Sequence, residues 1–494
     1  MRCARCHDRN LPLLSLVIAA ALGAGGCALK PVPSSELRRQ ALEHVTPPAA
    51  WNAMTAAAHA VPGPVRNDWL AGFADPQLEA LVAEAIAFNA DLRAAAARVE
   101  QAAAYVKLAG ADLSPNVSVI GKTGSKSGGD GGLDIGLLNV SWELDVWGRI
   151  RAGRNAAVDQ YASAEQDFIY ARQSLAALVV KSWYAATGIR LQRELAEDSA
   201  RAAQELTTLA GDRQRIGAGD ARDVAIAQAN LHVAQDSARQ LDQSYATALR
   251  ALELLLGRYP AAEIQVRRDL PAALPPVPVG LPSELLERRP DLVAAERRVA
   301  AAFYGVEEAK AARLPSISLT AGASWISSDL LVLKNRDNPK GSFGVSLLAP
   351  LFRGGELQAQ VEIRTAEQKQ AVAEYGGVAL TAFSDVENAL TGEFILAQRE
   401  PLLAAVVADY ERAFAMSETQ FRVGRIDMRD VKAQQVELYQ ARMQWLRVQS
   451  ERIAQRVNLY LALGGDFGGS QSIAASSTGP VATTDPPKEH GEVP

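Results

Sequence analysis

The feature that most constrains this chain is an internal duplication. The segment Asp91 to Ser118 matches Asp291 to Ser318 without a gap, at a constant offset of 200. A second gapless match, at an offset of 207, aligns Arg215 to Val224 with Arg422 to Val431. Two matching blocks in the same order predict two copies of one structural unit within the chain.

Each copy begins with a helical pattern that a proline closes. From Gln77 to Asp112 the apolar residues recur at helical spacing, and Asp75-Pro76 is typical of a helix start. Pro115 ends this pattern and favours an extended segment after it. The second copy has the same arrangement from Ser283 to Arg313, followed by Pro315.

Two short extended segments follow each proline. Ser316 to Trp325 alternates apolar and polar residues, which predicts a strand with one apolar and one polar face. The first copy is less regular, because its second segment loses the alternation between Leu137 and Val140. The predicted strands are Asn116 to Lys122, Leu133 to Leu144, Ser316 to Trp325 and Ser342 to Phe352, with surface loops at Lys122 to Gly132 and Ser327 to Lys340.

A long helix and a shorter returning helix complete each copy. The predicted long helices run from Ile150 to Arg213 and from Glu356 to Phe421, roughly 90 to 100 Å at 1.5 Å per residue. The returning helices are Arg222 to Leu256 and Arg429 to Leu463. In each copy the two shorter helices together match the long one. This balance favours a wall of uniform length and a coiled-coil-like assembly.

The first residues are typical of an export signal. Basic residues precede an apolar run from Leu11 to Leu22 that is too short to span a membrane, and small residues then lead to Cys27. This layout predicts a lipoprotein with Cys27 as its acylated first residue, although Ala24 stands where such signals usually have leucine. The alternative is an ordinary signal peptide with a chance cysteine.

These patterns divide the chain into five parts. Residues 1–26 are the predicted lipoprotein signal peptide, and residues 27–67 are an N-terminal lipid-anchored segment. The first structural repeat is 68–280 and the second is 281–465. Residues 466–494, rich in glycine, serine, proline and threonine, are predicted to be a disordered tail.

Composition argues against several classes of protein. Of the three cysteines only Cys27 remains after the signal, so neither a disulfide nor a thiolate metal site can form. The formal net charge of -5 and the lack of basic clusters argue against nucleic-acid binding. The five histidines show no ligand spacing, and no Ser/His/Asp set is apparent. We therefore expect no metal, no other cofactor and no enzymatic activity.

The paired strands restrict how the chain could enter a membrane. No stretch after the signal reaches the ~20 apolar residues of a spanning helix, so any further insertion must use β-strands. Four strands cannot close a barrel, and in lipid an open sheet edge costs several kcal/mol per unpaired backbone group. A dimer would supply eight strands, which side chains would largely fill; a trimer would supply twelve, enough for an open pore. We predict a mainly α homotrimer, internally duplicated, in which a long-helix α-barrel carries a small transmembrane β-barrel with four strands from each chain.

With these features the chain resembles the outer-membrane factors of tripartite efflux pumps, the TolC-type outer-membrane efflux channels, and within them the lipoprotein branch. The resemblance extends from about Asp68 to Gly465. It rests on the duplication, the junctions at Pro115 and Pro315, the segment Ser141 to Arg149 and the two Arg-x-Gly-x-x-Asp-x-x-Asp-Val blocks. It implies a twelve-stranded barrel in the outer membrane and a twelve-helix tunnel through the periplasm. A periplasmic adaptor (membrane fusion protein) and an inner-membrane transporter would complete the pump.

The two repeated glycine blocks lie where each long helix turns back. Glycine suits a tight reversal because it adopts backbone angles that other residues avoid. The resemblance implies that such tips meet the hairpins of the adaptor, and the alternative is a helix-reversal turn without a partner. By position the predicted contacts are Ile216, Gly217, Ala218, Val423, Gly424 and Arg425.

Acidic residues just past the turns are candidates for a periplasmic gate. Threefold symmetry would turn each of them into a ring of like charges that attracts cations and repels itself. The alternative, compatible with the first, is that they are helix N-caps and first-turn acids. The resemblance adds an aromatic residue, which is Phe421 here and has no hydroxyl, and Ala433 stands where a second acid is often found. The predicted gate residues are Asp220, Asp223, Phe421, Asp427 and Asp430.

The predicted function is therefore a passive outer-membrane channel subunit of an efflux pump. It would conduct drugs or other toxic small molecules outward, with energy supplied by the inner-membrane partner. The competing prediction is a structural coiled-coil outer-membrane lipoprotein without a lumen, which offers no reason for paired strands at matching places in both copies. A periplasmic or surface enzyme is a further alternative, for which no catalytic constellation is evident.

Overall fold

The computed structural model of the chain describes residues 31–45, 48, 50–55, 67–125, 132–271, 274, 282–328 and 340–467. The predicted signal peptide, Cys27, residues 329–339 of the second predicted loop and residues 468–494 of the predicted tail lie outside the described residues. The first two residues assigned to that tail differ from the prediction. Phe467 is buried under the guanidinium of Arg172, and the Asp466 carbonyl accepts the Asp68 amide at 2.7 Å.

Within the described residues the chain is mainly helical, as predicted. No helix in this part of the chain combines the length and the apolar character needed to cross a membrane. The helices are α1 (Ser34–Ala41), α2 (Pro76–Phe88), α3 (Ala90–Ala111), α4 (Arg149–Arg215), α5 (Ala221–Leu255), α6 (Pro282–Arg288), α7 (Pro290–Ala311), α8 (Glu356–Arg422) and α9 (Met428–Ala462), with short 3-10 turns at Asn52–Thr55 and Trp69–Phe73.

The first helical stretch of each repeat is two helices, and the prediction of one continuous helix was wrong. In the first repeat the break is at Asn89, whose side chain accepts the Leu92 amide at 3.0 Å and donates to the Leu255 carbonyl at 3.0 Å. In the second repeat the break is at Arg289, because Pro290 starts a new helix there. Asn89 and Arg289 are equivalent at the offset of 200, so the break belongs to the duplicated unit.

The two long helices are confirmed at 67 residues each, about 100 Å at 1.5 Å per residue. The returning helices α5 and α9 have 35 residues each and pack against α4 and α8, respectively. The main hydrophobic core lies at the level of Trp183, Leu252 and Tyr375, where α2, α4, α5, α8 and α9 meet. A second, smaller cluster lies at the far end of the hairpins.

Four strands form one antiparallel sheet in the order β1 (Asn116–Ser125), β2 (Gly132–Leu144), β3 (Ser316–Ser328) and β4 (Lys340–Leu348). All four strands extend further into the predicted loops than expected, the fourth by starting at Lys340 and not at Ser342. The fourth ends at Leu348 and not at Phe352, since Pro350 lacks the amide that a ladder needs. β2 and β3 pair across the boundary between the repeats, and β1 and β4 are the edges.

The register separates an apolar from a polar face across the helix-proximal part of the sheet. Residues paired across an antiparallel sheet lie on the same face. The opposite face is mostly serine, threonine, asparagine and glycine, with Ile120, Leu137 and Leu348 as apolar exceptions. The apolar face consists of Val117, Val119, Leu138, Val140, Trp142, Leu144, Ile317, Leu319, Ala321, Ala323, Phe343, Val345 and Leu347. On the edge strands these apolar side chains are exposed to solvent in the single chain.

The N-terminal segment lies along α8. Trp51 is buried beside Phe383, and the Glu387 carboxylate accepts the backbone amides of Asn52 and Ala53 at 2.9 Å each. The backbone carbonyl of Ala41 lies so near Gly376 that a Cβ there would meet it at 2.7 Å. Residues 34–45 and 50–53 are therefore packed onto the second repeat.

Candidate functional site

The ends of the two helical hairpins form the candidate site, and each turn is built by a glycine. Gly217 and Gly424 have φ angles of +77° and +74°, which residues with a side chain rarely adopt. After α4 the Ala218 amide donates to the Arg213 carbonyl at 2.8 Å, and after α8 the Arg425 amide donates to the Gln420 carbonyl at 2.9 Å. These bonds satisfy carbonyls that the helix ends leave free, so both reversals are the same Schellman turn.

The two turns present apolar side chains to solvent. Ile216 is 77% exposed and Val423 is 66% exposed. Exposed apolar side chains that lie close together are typical of surfaces that another protein covers. The six residues predicted as contacts lie on these two turns.

Asp220 and Asp427 are helix N-caps. The Asp220 carboxylate accepts the Asp223 amide at 2.8 Å, and the Asp427 carboxylate accepts the amides of Arg429 and Asp430 at 2.9 and 3.3 Å. The side-chain hydrogen bond from Arg429 is the largest cause of a lowered pKa of Asp427, so this cap stays ionised well into acid. The capping role that the sequence offered as an alternative is what these two residues perform in the single chain.

Asp223 and Asp430 stand in the first turns of α5 and α9. Asp223 is half-buried, and its Oδ1 is buried without a hydrogen-bond partner among the described residues. Asp430 is exposed. Both acids raise the pKa of Arg429, although the hydrogen bond to Asp427 is the largest cause. Asp223 follows one turn and Arg429 the other, so the two turns place opposite charges near each other.

The side chain of Phe421 is buried and does not face solvent. Its side chain is 1% exposed and packs in the cluster at the end of the hairpins with Leu206, Met428 and Val431. The Arg213 guanidinium lies over its ring at 4.5 Å. From this position Phe421 fixes the two hairpins to each other, and its ring does not line an opening of the single chain.

Arginines balance much of the acidic charge at the turns. Asp212 pairs with Arg215 at 2.6 Å, Asp427 with Arg429 at 2.6 Å and Asp220 with Arg222 at 3.8 Å. Exposed pairs of this kind contribute little to stability, but they lower the net negative potential of any ring that the acids form. No group of three or more His, Cys, Asp or Glu side chains in the described ranges is arranged to hold a metal ion.

Sequence and structure comparisons agree with this architecture. The sequence profile described as "Outer membrane efflux protein" matches residues 81–258 and 281–465, one block in each repeat. The pyoverdine export outer membrane protein OpmQ of Pseudomonas putida is 32% identical over 442 residues, which cover 86% of this chain and 93% of that protein. The cation efflux system protein CusC of Escherichia coli is 29% identical, covering 81% of this chain and 88% of that protein. Among solved structures, the outer-membrane channel OprN superposes with a TM-score of 0.77 at 28% identity, covering 85% of this chain and 97% of that chain.

Proposed function

This chain belongs to the outer membrane efflux protein family and is an outer-membrane efflux channel protein; from that premise we propose that three copies form a duct that conducts small molecules outward from a periplasmic adaptor and an inner-membrane transporter. The observation that carries the proposal is the sheet, which has a continuous apolar face and two unpaired edges. Such a sheet is stable in lipid only when copies complete a closed ring.

The duplication supports the way in which the copies join. Inside the chain, β2 of the first repeat pairs with β3 of the second, and α4 packs against α7. Repeating that junction between chains pairs β4 with β1 of the next copy and packs α8 on its α3. Consistent with this, α7 has nine buried residues in the single chain, whereas the matching helix α3 has only Leu92. Three copies then give a barrel of about twelve strands.

The same transfer predicts the register between copies. Ser141 pairs with Thr320 across the repeat boundary. The residue equivalent to Ser141 at the offset of 207 is Leu348, and the residue equivalent to Thr320 at the offset of 200 is Ile120. Leu348 of one copy should therefore pair with Ile120 of the next copy. Both are apolar residues on the otherwise polar face, so their side chains would shield each other from water there. With Leu348→Cys and Ile120→Cys in one chain, we expect mild oxidation of outer membranes to give covalent dimers and trimers on non-reducing gels.

The matched control is Leu348→Cys with Val119→Cys, which shifts the second cysteine by one residue to the other face. It should cross-link far less. Equal cross-linking of the two pairs, or none with Ile120→Cys in protein that reaches the outer membrane, would contradict the proposed ring. Cys27 adds no free thiol if it is acylated, and either single-cysteine variant checks this.

We further propose that the two turns meet the adaptor and that Ile216, Gly217, Ala218, Val423, Gly424 and Arg425 contact it. Two exposed apolar side chains on neighbouring glycine turns, whose backbone amides bond within each turn, suit burial against another protein. A reversal without a partner would gain nothing from exposing them.

We assign Asp223 and Asp430 to a gate at the same end, with Asp220, Phe421 and Asp427 holding its geometry. Asp223 has a buried Oδ1 that accepts no hydrogen bond from the described part of the chain, and a donor from a neighbouring copy would satisfy it. We expect Asp223→Ala and Asp430→Ala to raise the conductance of the purified protein in planar bilayers. Each kcal/mol by which a substitution destabilises the closed state should raise the ratio of open to closed channels about fivefold.

Asp212→Ala is the matched control for the gate variants. It removes the same charge near the same turn, but its carboxylate pairs with Arg215 on an exposed helix surface, so its conductance should stay at the wild-type value. A gate at Asp223 and Asp430 is ruled out if both variants conduct like this control. A purified protein that opens no pores at all would favour the structural lipoprotein without a lumen.

We propose that Cys27 anchors the chain by an acyl group in the outer membrane. Ser34 donates to Glu296 at 2.6 Å, and α7 continues from Glu296 to Ala311, roughly 22 Å towards the sheet. The seven residue steps from Cys27 to Ser34 reach at most about 25 Å. A lipid on Cys27 could therefore reach the membrane-proximal end of the helices.

The relatives are named for different cargoes, pyoverdine export in one case and cation efflux in another. We propose that this chain is a passive conduit without catalysis or cofactor, and that the transporter selects what passes.

A further inference from the structure

Arg213 connects the two turns at the end of the hairpins. Its Nη1 donates to the Phe421 carbonyl at 2.5 Å, and its Nη2 donates to the Ala218 carbonyl at 3.0 Å. The first acceptor lies in the last turn of α8, and the second lies in the reversal after α4. One guanidinium therefore binds a backbone carbonyl on each side, and its planar fork allows both bonds at once.

The surroundings favour a charge at this place. The Phe421 carbonyl lies at the carboxyl end of α8, where free carbonyls leave a partial negative charge that a cation stabilises. The guanidinium also lies over the Phe421 ring, with its carbon 4.5 Å from the ring centre. Gly424 lies beside the guanidinium, but a Cβ there would make only an ordinary contact with Nη2, at 3.8 Å.

The contact occurs once in each chain and runs in one direction. At the offset of 207 the counterpart of Arg213 is Gln420, which has no positive charge. The second turn therefore makes no equivalent contact back to the first. The Arg213 contact therefore breaks the internal symmetry at the proposed adaptor surface. It is not needed to build either turn, because each turn is already closed by its own backbone hydrogen bonds.

We propose that Arg213 is a positioning residue that couples the two turns, so that a displacement of one by the adaptor is transmitted to the other. This inference rests on the proposed function of the turns as the adaptor surface and gate. The inference adds a mechanism, through Arg213, by which an adaptor that contacts one turn displaces both turns. Without Arg213 each turn remains folded and the hairpins stay packed through the Phe421 cluster, but a displacement of one turn is transmitted less to the other.

Hydrogen exchange of the assembled full-length protein in detergent tests the coupling. In Arg213→Ala we expect backbone amides of the second turn, residues 421–428, to exchange about tenfold faster, although the substitution is in the first hairpin. Arg213→Lys keeps the charge but loses the fork, and we expect a smaller increase. Thermal midpoints of the main core should stay unchanged, because that cluster lies far along the hairpins.

Arg215→Ala is the matched control. Arg215 lies two residues away and, among the residues that the structure describes, pairs with Asp212 of its own helix alone. Its loss therefore removes the same charge without touching the second turn. Unchanged exchange at 421–428 in Arg213→Ala and Arg213→Lys, or an equal increase in Arg215→Ala, would overturn the proposal. Exchange does not depend on whether the pore opens. The exchange result therefore tests the role of Arg213 even if the conductance measurements contradict the proposed gate.

Discussion

Val119→Lys is expected to abolish assembly of the channel in the outer membrane. Val119 lies near the middle of β1 on the apolar face, and its side chain is exposed in the single chain. A lysine facing lipid near the centre of a membrane costs about 2–4 kcal/mol in a β-barrel, and the trimer would carry three of them. Losses of this size are a large part of the stability of a folded protein.

Ser118→Lys is the matched control, one residue away in the same strand. Ser118 pairs with Asn139 on the polar face, so its lysine would face water inside the barrel. We expect it to assemble normally and to change only the conductance. The measurement is the amount of SDS-resistant trimer in outer-membrane fractions. Equal amounts for the two variants would mean that the apolar face of the sheet does not meet lipid.

The strands show what periodicity can and cannot predict. Ser316 to Trp325 alternates cleanly, and β3 was predicted with its faces because a period of two survives in the sequence. In β2 the adjacent Leu137 and Leu138 hide that period. Only the register, which pairs Leu138 with Val119 and Leu137 with Ile120, places them on opposite faces. Pairing is a long-range property that local patterns do not contain.

The helical part was predicted most fully where the duplication repeats a local signal. The long helices end within two residues of their predicted limits, because a glycine turn follows each of them. The break at Asn89 was missed, since the apolar spacing continues through it. Asparagine as an N-cap was an available signal, and Pro290 in the second repeat marks the equivalent position.

The positions of the two helix reversals were predicted from the two blocks, and the contacts between the reversals were not. The sequence places Asp220 and Asp427 just past the turns, where caps are expected. Arg213 precedes its block and had no motif to mark it. Its importance depends on the distance between two hairpins whose contacting atoms are 208 positions apart in the chain.

The second hairpin contains a buried ion pair, and the first hairpin has apolar residues at the equivalent positions. The pair can therefore be tested by substituting those apolar residues for it. Glu393 of α8 and Arg456 of α9 are hydrogen-bonded and are 8% and 3% exposed. At the offset of 207 their counterparts are Ala186 and Leu249, which are buried apolar residues between α4 and α5. The same place in the fold is therefore filled by charges in one repeat and by apolar groups in the other.

Glu393→Ala and Arg456→Leu are each expected to destabilise the protein by about 3–5 kcal/mol, because each removes the nearest opposite charge of a buried side chain. In Arg456→Leu the Glu393 carboxylate keeps Arg452 at 3.3 Å, so this variant should lie at the lower end of that range. The double variant should lie within about 1–2 kcal/mol of the wild type, since well-packed apolar residues often replace a buried pair without loss. In the two variants that lack Glu393, Arg452 would still form its salt bridge with Glu400 at 2.6 Å. The measurement is the thermal midpoint of purified trimers. A double variant as unstable as the sum of the two singles would show that the pair contributes more than the apolar packing of the first repeat.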